Sequence, residues 1–330
     1  MIQRRVLVTL LAVTAVTATA AACKKSETGP ATTGSGSALA GSGSGSGSAL
    51  AGSGSAGSGS DLVPAGDGKI TRPFFYKVEK DGKTSYLLGT WHMGIDAKKL
   101  MPRAVWDAFA TSKAFATEID PTDPAGLSGF MRNDGRTLEQ DLGPEYWPKL
   151  ETLAGPLAEG MKKMKPMGAV LLLQYKDLPQ AVPMDLAFLN EAKAEKKALV
   201  FLEQVAVQVR LLERWVDLRM LKATIDDLAG TKQKIDEALA AYMVGDDAAL
   251  VSMVLDREGM KEAGFTDAEL DQAMKQMLYD RNAAWIPVLE EMFAKGDAFA
   301  AVGAGHLIGG KSVVELLQAK GYTVTRVGST

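Results

Sequence analysis

Histidine and cysteine are nearly missing from this chain. Its 330 residues contain two histidines, His92 and His306, and one cysteine, Cys23. A single cysteine excludes an intrachain disulfide and any cysteine-based metal cluster. With two histidines, all imidazole chemistry falls to these two positions. Lysine and arginine form no block, and the formal net charge is −3, which argues against nucleic acid as a partner. Long apolar runs are absent too. The uncharged stretch at 6–22 is short and diluted by threonines, so it is a poor membrane span.

That stretch follows Arg4 and Arg5 and ends in Ala20-Ala-Ala-Cys23, which reads as a secretory signal with a lipobox-like end. Ala20 stands where leucine is usual. Residues 1–23 are therefore expected to be a signal peptide, with Cys23 lipidated as the first mature residue. Lys24 after the cysteine favours the outer membrane, by analogy with bacterial sorting. Cleavage after an Ala-x-Ala site is the alternative, and would leave a soluble secreted or periplasmic protein with one thiol. Residues 24–60 are rich in Gly, Ser and Ala, and Ser37-Ala-Leu-Ala-Gly-Ser-Gly-Ser44 recurs at 48–55. So little apolar surface cannot offset ordering entropy, and this segment is expected to be a disordered tether. The folded unit is expected over 61–330.

Phe74 to Lys80, Asp81-Gly82 and Thr84 to Leu88 predict a β-hairpin with an Asp-Gly turn. A helix is expected at 102–111 and a strand at 113–120, with Ala116, Glu118 and Asp120 on one face. Helices are expected around 145–154, 157–175, 183–197, 204–228, 231–245, 247–260, 267–280 and 282–295, with one strand at 198–202. Thr137-Leu-Glu-Gln140 has the spacing of a capping box. Met161, Met164 and Met167 read as core filling. The end of the chain reads as strand, Gly303-Ala-Gly-His306 loop, helix over 307–320 and strand over 322–326. A dinucleotide fingerprint is rejected there, because position 308, where its third glycine belongs, is Ile308, and no acid ends the following strand. No nucleotide cofactor is expected.

Function enters at Tyr86-Leu-Leu-Gly-Thr-Trp-His92 and Ala298-Phe-Ala-Ala-Val-Gly-Ala-Gly-His306. Each is an apolar strand running into Gly-x-x-His, and open α/β sheets bind ligands off the carboxyl ends of their strands. Glu118 and Asp120 sit at another such end. Convergence of these ends would create a site of two histidines and a carboxylate, a set that suits Mn, Fe, Co or Zn with positions left for water. Asp120 is a possible fourth ligand. Arg281 and Asn282 are of the types that hold an anionic substrate group or an oxyanion. Glu203 and Gln208 open the helix after the short strand, where an acid favours the helix dipole. Each of these residues also has an ordinary structural reading.

Taken in order, Tyr86 to His92, Glu118-Ile-Asp120, Leu202-Glu203 with Gln208, Asp280-Arg281-Asn282 and Gly303-Ala-Gly-His306-Leu resemble the TraB/GumN family, over about 72–327. That family is related to the Tiki proteins and, more distantly, to erythromycin-esterase-like and ChaN-like proteins. Its two Gly-x-x-His motifs and glutamate map onto His92, His306 and Glu118, and its Arg-Asn pair onto Arg281 and Asn282. Asp280 replaces the more usual glutamate. The resemblance implies a mixed α/β fold, a small central sheet with a large helical insertion at roughly 137–295. Tiki proteins look like metal-dependent peptidases using Mn or Co, and erythromycin esterases resemble metal-free hydrolases. With the signal segment, the leading expectation is a lipid-anchored, cell-envelope hydrolase of metallopeptidase type. His92, Glu118 and His306 would activate water or bind a divalent metal, and Arg281, Asn282, Glu203 and Gln208 would contact a peptide or small-molecule substrate. Metal-free hydrolysis with His92 as a base oriented by Glu118 is one alternative. A non-catalytic ligand- or haem-binding envelope protein is the other. The oligomeric state is left open.

Overall fold

A computed structural model describes residues 68–254 and 257–328. The expected signal peptide, Cys23 and the tether lie outside the described residues. Among the described residues, no helix is long and apolar enough to cross a membrane.

The hairpin forms as its pattern dictates. β1 (Phe75–Lys80) pairs antiparallel with β2 (Lys83–Thr90). Asp81 and Gly82 between them both take positive φ, +50° and +72°, as a two-residue turn matched to strand twist requires. β3 (Ala114–Thr117), β4 (Ala198–Phe201), β5 (Ala298–Gly303) and β6 (Thr323–Arg326) complete one sheet in the order β4-β3-β5-β2-β1-β6. β4, β3, β5 and β2 are mutually parallel, and β1 runs against both of its neighbours. The fold is thus mixed α/β. β5 and β6 are parallel, as their sequence pattern suggests, but the helix between them (Val313–Ala319) carries the chain past β2 and β1.

β5 is buried at every residue, as befits a central parallel strand. Phe299 on β5 and Phe115 on β3 are covered by Phe109 of the helix Arg103–Thr111 and Phe188 of the helix Met184–Ala194. Ring-to-ring contacts of this kind add about 0.5–1.5 kcal/mol each beyond the area they bury. Among the described residues between β3 and β5, β4 is the one strand of the sheet and the other regular elements are helices. Much of this helical region builds a second apolar cluster around Leu142, Trp147, Leu150, Val170, Leu212 and Leu221. Met161 and Met167 are buried in it and Met164 packs against it, in the filling role expected of them. The helix Leu228–Val244 returns to the sheet, where Tyr242 donates a 2.8 Å hydrogen bond to the Gly89 carbonyl and packs on Phe74 and Trp91.

Element boundaries depart from expectation where capping chemistry wins. The helix expected over 157–175 breaks, and restarts as Pro166–Tyr175 with proline in its first turn. The one expected over 204–228 splits into Val205–Trp215 and Leu218–Asp226, because the Asp217 carboxylate caps the second piece. Conversely, 267–293 is not interrupted. A π turn at Lys275–Tyr279 joins its two halves. The last helix starts at Val313 rather than 307, capped by Ser312. β3 ends at Thr117, so Glu118 and Asp120 lie past the strand and do not share a pleated face. The Thr137 capping box is present.

Gly89 shows why the Gly-x-x-His motif needs its glycine. A Cβ there would lie 2.8 Å from Phe74 Cβ and 3.0 Å from Ala304 Cα, so β2 packs against the chain that leads to His306. Gly89→Ala should destabilise the fold by about 1–3 kcal/mol, the usual penalty of overpacking, as measured by urea denaturation. A change within about 0.5 kcal/mol would mean that this contact yields freely.

Candidate active site

Four adjacent parallel strands end on one edge of the sheet, and each delivers a polar side chain there. β2 leads to His92, β5 to His306, β3 to Glu118 and β4 to Glu203. His92, Glu118 and His306 are all buried.

His92 is held by an acid that the sequence pattern does not single out. Its Nδ1–H donates to Asp185 Oδ2 at 2.5 Å, and Thr90 Oγ1 donates to Asp185 Oδ1 at 2.7 Å. Asp185 lies in the first turn of the helix Met184–Ala194. Burial alone would raise its pKa. The charge of His92 and the hydrogen bonds from His92 and Thr90 outweigh burial and hold the carboxyl below its ordinary range. The available signal was an acid between Met184 and Leu186 on a helix with buried Ala187, Phe188 and Leu189, since a buried carboxylate requires a partner.

The His306 tautomer follows from its neighbours. Asn282 Nδ2 donates to the Lys311 carbonyl at 2.9 Å, which turns Asn282 Oδ1 toward His306. Nδ1 of His306 therefore carries the proton, donated to Oδ1 at 2.6 Å. Nε2 is left as an acceptor for Arg281 Nη1–H at 3.1 Å. Burial first, then the charges of Arg281 and His92, push the His306 pKa well below its usual value. The ring is accordingly neutral near pH 7. Trp285 packs on it with ring centroids 4.4 Å apart.

Arg281 ties the remaining groups together. Its Nε–H reaches Glu203, Nη1 reaches the Met277 carbonyl and His306, and Nη2 reaches Glu118 and Glu203 at 2.6 Å each. All five guanidinium N–H groups are thereby engaged. Glu118 Oε1 accepts from the Gly303 backbone at 2.7 Å, and its Oε2 also accepts from Gln208 at 3.0 Å. Gln208 donates to Glu203 as well. Burial raises the Glu203 pKa and the nearby Glu118 adds to this, while Arg281 opposes it. Burial would lower the Arg281 pKa, but Glu118 and Glu203 reverse the sign and raise it.

The structure thus brings His92, His306, Glu118, Glu203, Gln208, Arg281 and Asn282 to one edge of the sheet. Asp120 does not join their hydrogen-bond network. Its carboxylate caps a turn instead, accepting from Thr122 N and Oγ1 at 2.9 and 2.6 Å. Glu118 is not the group that orients His92. β5 separates β3 from β2, so Glu118 comes within 3.8 Å of His306, and the orienting acid is Asp185.

The donor set does not fit a metal ion in this arrangement. Both Glu118 oxygens accept N–H groups, the His306 Nε2 lone pair faces a guanidinium, and its Nδ1 is protonated toward Asn282. Among the described residues, no three His, Cys, Asp or Glu side chains are grouped to hold a metal.

The chain belongs to the TraB/PrgY/gumN family, whose family model matches residues 74–326. It is 24% identical over 313 residues to the zebrafish (Danio rerio) protein named Metalloprotease TIKI1, covering 76% of this chain and 62% of that one. The Xenopus tropicalis protein of the same name is 24% identical over 309 residues, covering 76% and 61%. A sponge protein (Amphimedon queenslandica), named Metalloprotease TIKI homolog, is 29% identical over 130 residues, or 35% of this chain and 26% of its own. The chain therefore spans about three fifths of the two vertebrate relatives.

The neutral state of His306 has a pH consequence. A histidine whose folded pKa is depressed contributes its full stability above the unfolded value of about 6.5 and loses it as pH falls below that. Stability should drop by up to about 1.4 kcal/mol per pH unit for this one proton. Glu203 titrates in the opposite sense. Urea denaturation between pH 7.5 and 5.5 of wild type beside His306→Gln isolates the histidine, and the variant should lose that slope. Parallel pH profiles would contradict a buried neutral imidazole.

Proposed function

We propose that this protein is a cell-envelope hydrolase of peptidase type, and that its attacking water is activated at His92. The observation that carries this reading is the buried His92–Asp185 pair, 2.5 Å apart, at the carboxyl edge of the sheet beside His306. A carboxylate on Nδ1–H fixes the imidazole tautomer and orientation, and stabilises the ring when it gains a proton. Proton abstraction from water then runs through Nε2 of the ring in its neutral form, and the product is the imidazolium that Asp185 stabilises. General-base help of this kind contributes typically about 10²–10⁴-fold in rate. Asn282 and Arg281 hold His306 in one orientation, and Glu118, Glu203 and Gln208 hold Arg281. Any contact of Arg281 with substrate requires one of its present partners to be exchanged.

A second reading is metal-dependent hydrolysis, favoured by the names of the relatives. His92, Glu118 and His306 would hold the ion, which would act as a Lewis acid and lower the pKa of water. That arrangement requires Arg281 to withdraw from Glu118 and His306. The substrate is proposed to be a peptide or a small molecule. Attachment to the membrane through a lipid on Cys23 is part of the same proposal.

Peptide and ester libraries offered to the full chain provide the test. His92→Ala and Asp185→Asn should each lower kcat by about 10²-fold or more under conditions where circular dichroism shows each variant still folded, since loss of one member of this buried pair also lowers stability. Activity that survives chelation in metal-free protein would leave His92–Asp185 as the activating pair and remove the metal. Loss on chelation with recovery in Mn or Co would reverse that assignment. Full activity in both variants would defeat the proposal.

A further inference from the structure

Next to the catalytic edge, a cavity of about 670 Å³ opens between the π turn Lys275–Tyr279, the helices around it and the loop carrying Lys311. Its size falls in the range of small-molecule sites. Val254, Met260, Leu270 and Met274 supply apolar walls, and Tyr279 closes one side. Two backbone features mark the place. π turns occur often at functional sites, and Lys311 adopts φ +57°, a conformation that is unfavourable for a residue with a Cβ.

Charge at the rim is unbalanced. Arg257 is bonded to Asp271 and Asp267, and Lys275 to both oxygens of Asp280. The Lys311 ammonium lies 4.9 Å from the Tyr279 ring centroid, and forms no salt bridge among the described residues. One positive charge therefore stands over an apolar cavity. The same residue reaches the catalytic edge, because its carbonyl accepts from Asn282, whose amide oxygen holds His306 Nδ1.

We propose that this cavity is the specificity subsite of the hydrolytic edge, and that it takes a hydrophobic residue at the carboxyl terminus of a peptide. The apolar side chain fills the space between Met260, Leu270 and Met274, and Lys311 binds the free α-carboxylate. The proposal rests on the hydrolase reading above for the meaning of the subsite, but not for its binding chemistry. A carboxylate matches the Lys311 ammonium, which lies over the Tyr279 ring and has no salt bridge among the described residues. The walls discriminate by apolar area, and the link through Asn282 ties occupancy to the setting of His306.

Isothermal titration of the full chain with N-acetyl-phenylalanine tests this, with N-acetyl-phenylalanine amide and N-acetylglycine as controls. Saturable binding is expected for the first alone. Lys311→Met should weaken it by roughly tenfold or more, the range of a hydrogen bond to a charged group. Met274→Trp, which fills the cavity, should abolish it. Lys311 is exposed, so the Lys311→Met protein should melt as wild type does. His92→Ala should bind as wild type, so a protein that binds but hydrolyses nothing loses the hydrolase reading and keeps the subsite. Equal binding of acid and amide, equal binding of acetylglycine, no effect of Lys311→Met, or no saturable binding would each overturn the proposal.

Discussion

A single buried guanidinium holds the polar edge of the sheet together. Arg281 lies between two carboxylates from neighbouring strand ends and an imidazole from a third. A charge taken out of water is expensive, and is tolerated only when its partners satisfy every donor. The reverse also holds: Glu118 and Glu203 remain buried because Arg281 is there. Removing one member of such a network leaves an uncompensated charge, which typically costs about 3–5 kcal/mol. The arrangement is thus rigid. The cation 3.1 Å away also favours the neutral form of His306, whose lone pair is the acceptor that the cation needs.

The sheet reads well from the sequence, and the helices less well. Alternation and an Asp-Gly turn fix the hairpin, and the runs before His92 and His306 are apolar enough to be buried parallel strands. Boundaries fail where one capping side chain decides them. Asp217 ends a helix that periodicity alone would continue, and Ser312 starts one late. The polar residues of the edge were legible as a set, because glycine and histidine recur in matched surroundings and the Arg-Asn pair follows in order. Their partnerships were not legible. Whether Glu118 meets His92 or His306 depends on β5 inserting between β2 and β3, and no local pattern encodes that choice. Asp185 was missed because an acid in the first turn of a helix has an ordinary electrostatic explanation.

The comparison with relatives whose names carry the word metalloprotease sharpens the chemical question. Two of the side chains that would ligate an ion, Glu118 and His306, are ones that Arg281 now occupies. A guanidinium and a divalent metal ion are both cations, and the same pair of acid and imidazole can answer either. In this structure they answer Arg281, which projects from the helix turn that begins at Asp280 and follows the π segment.

The position of β5 carries a consequence for how the protein is made. It is the fifth strand to leave the ribosome, yet it sits between the second and the third. Until about 300 residues have been synthesised, β2 and β3 have no common neighbour, and the gap that β5 fills between them is open. His306 arrives directly behind the strand that closes it. Such late, long-range pairing is intrinsically slow. It also means that a product cut short before β5 is complete lacks His306 together with the strand that joins the two sides of the sheet.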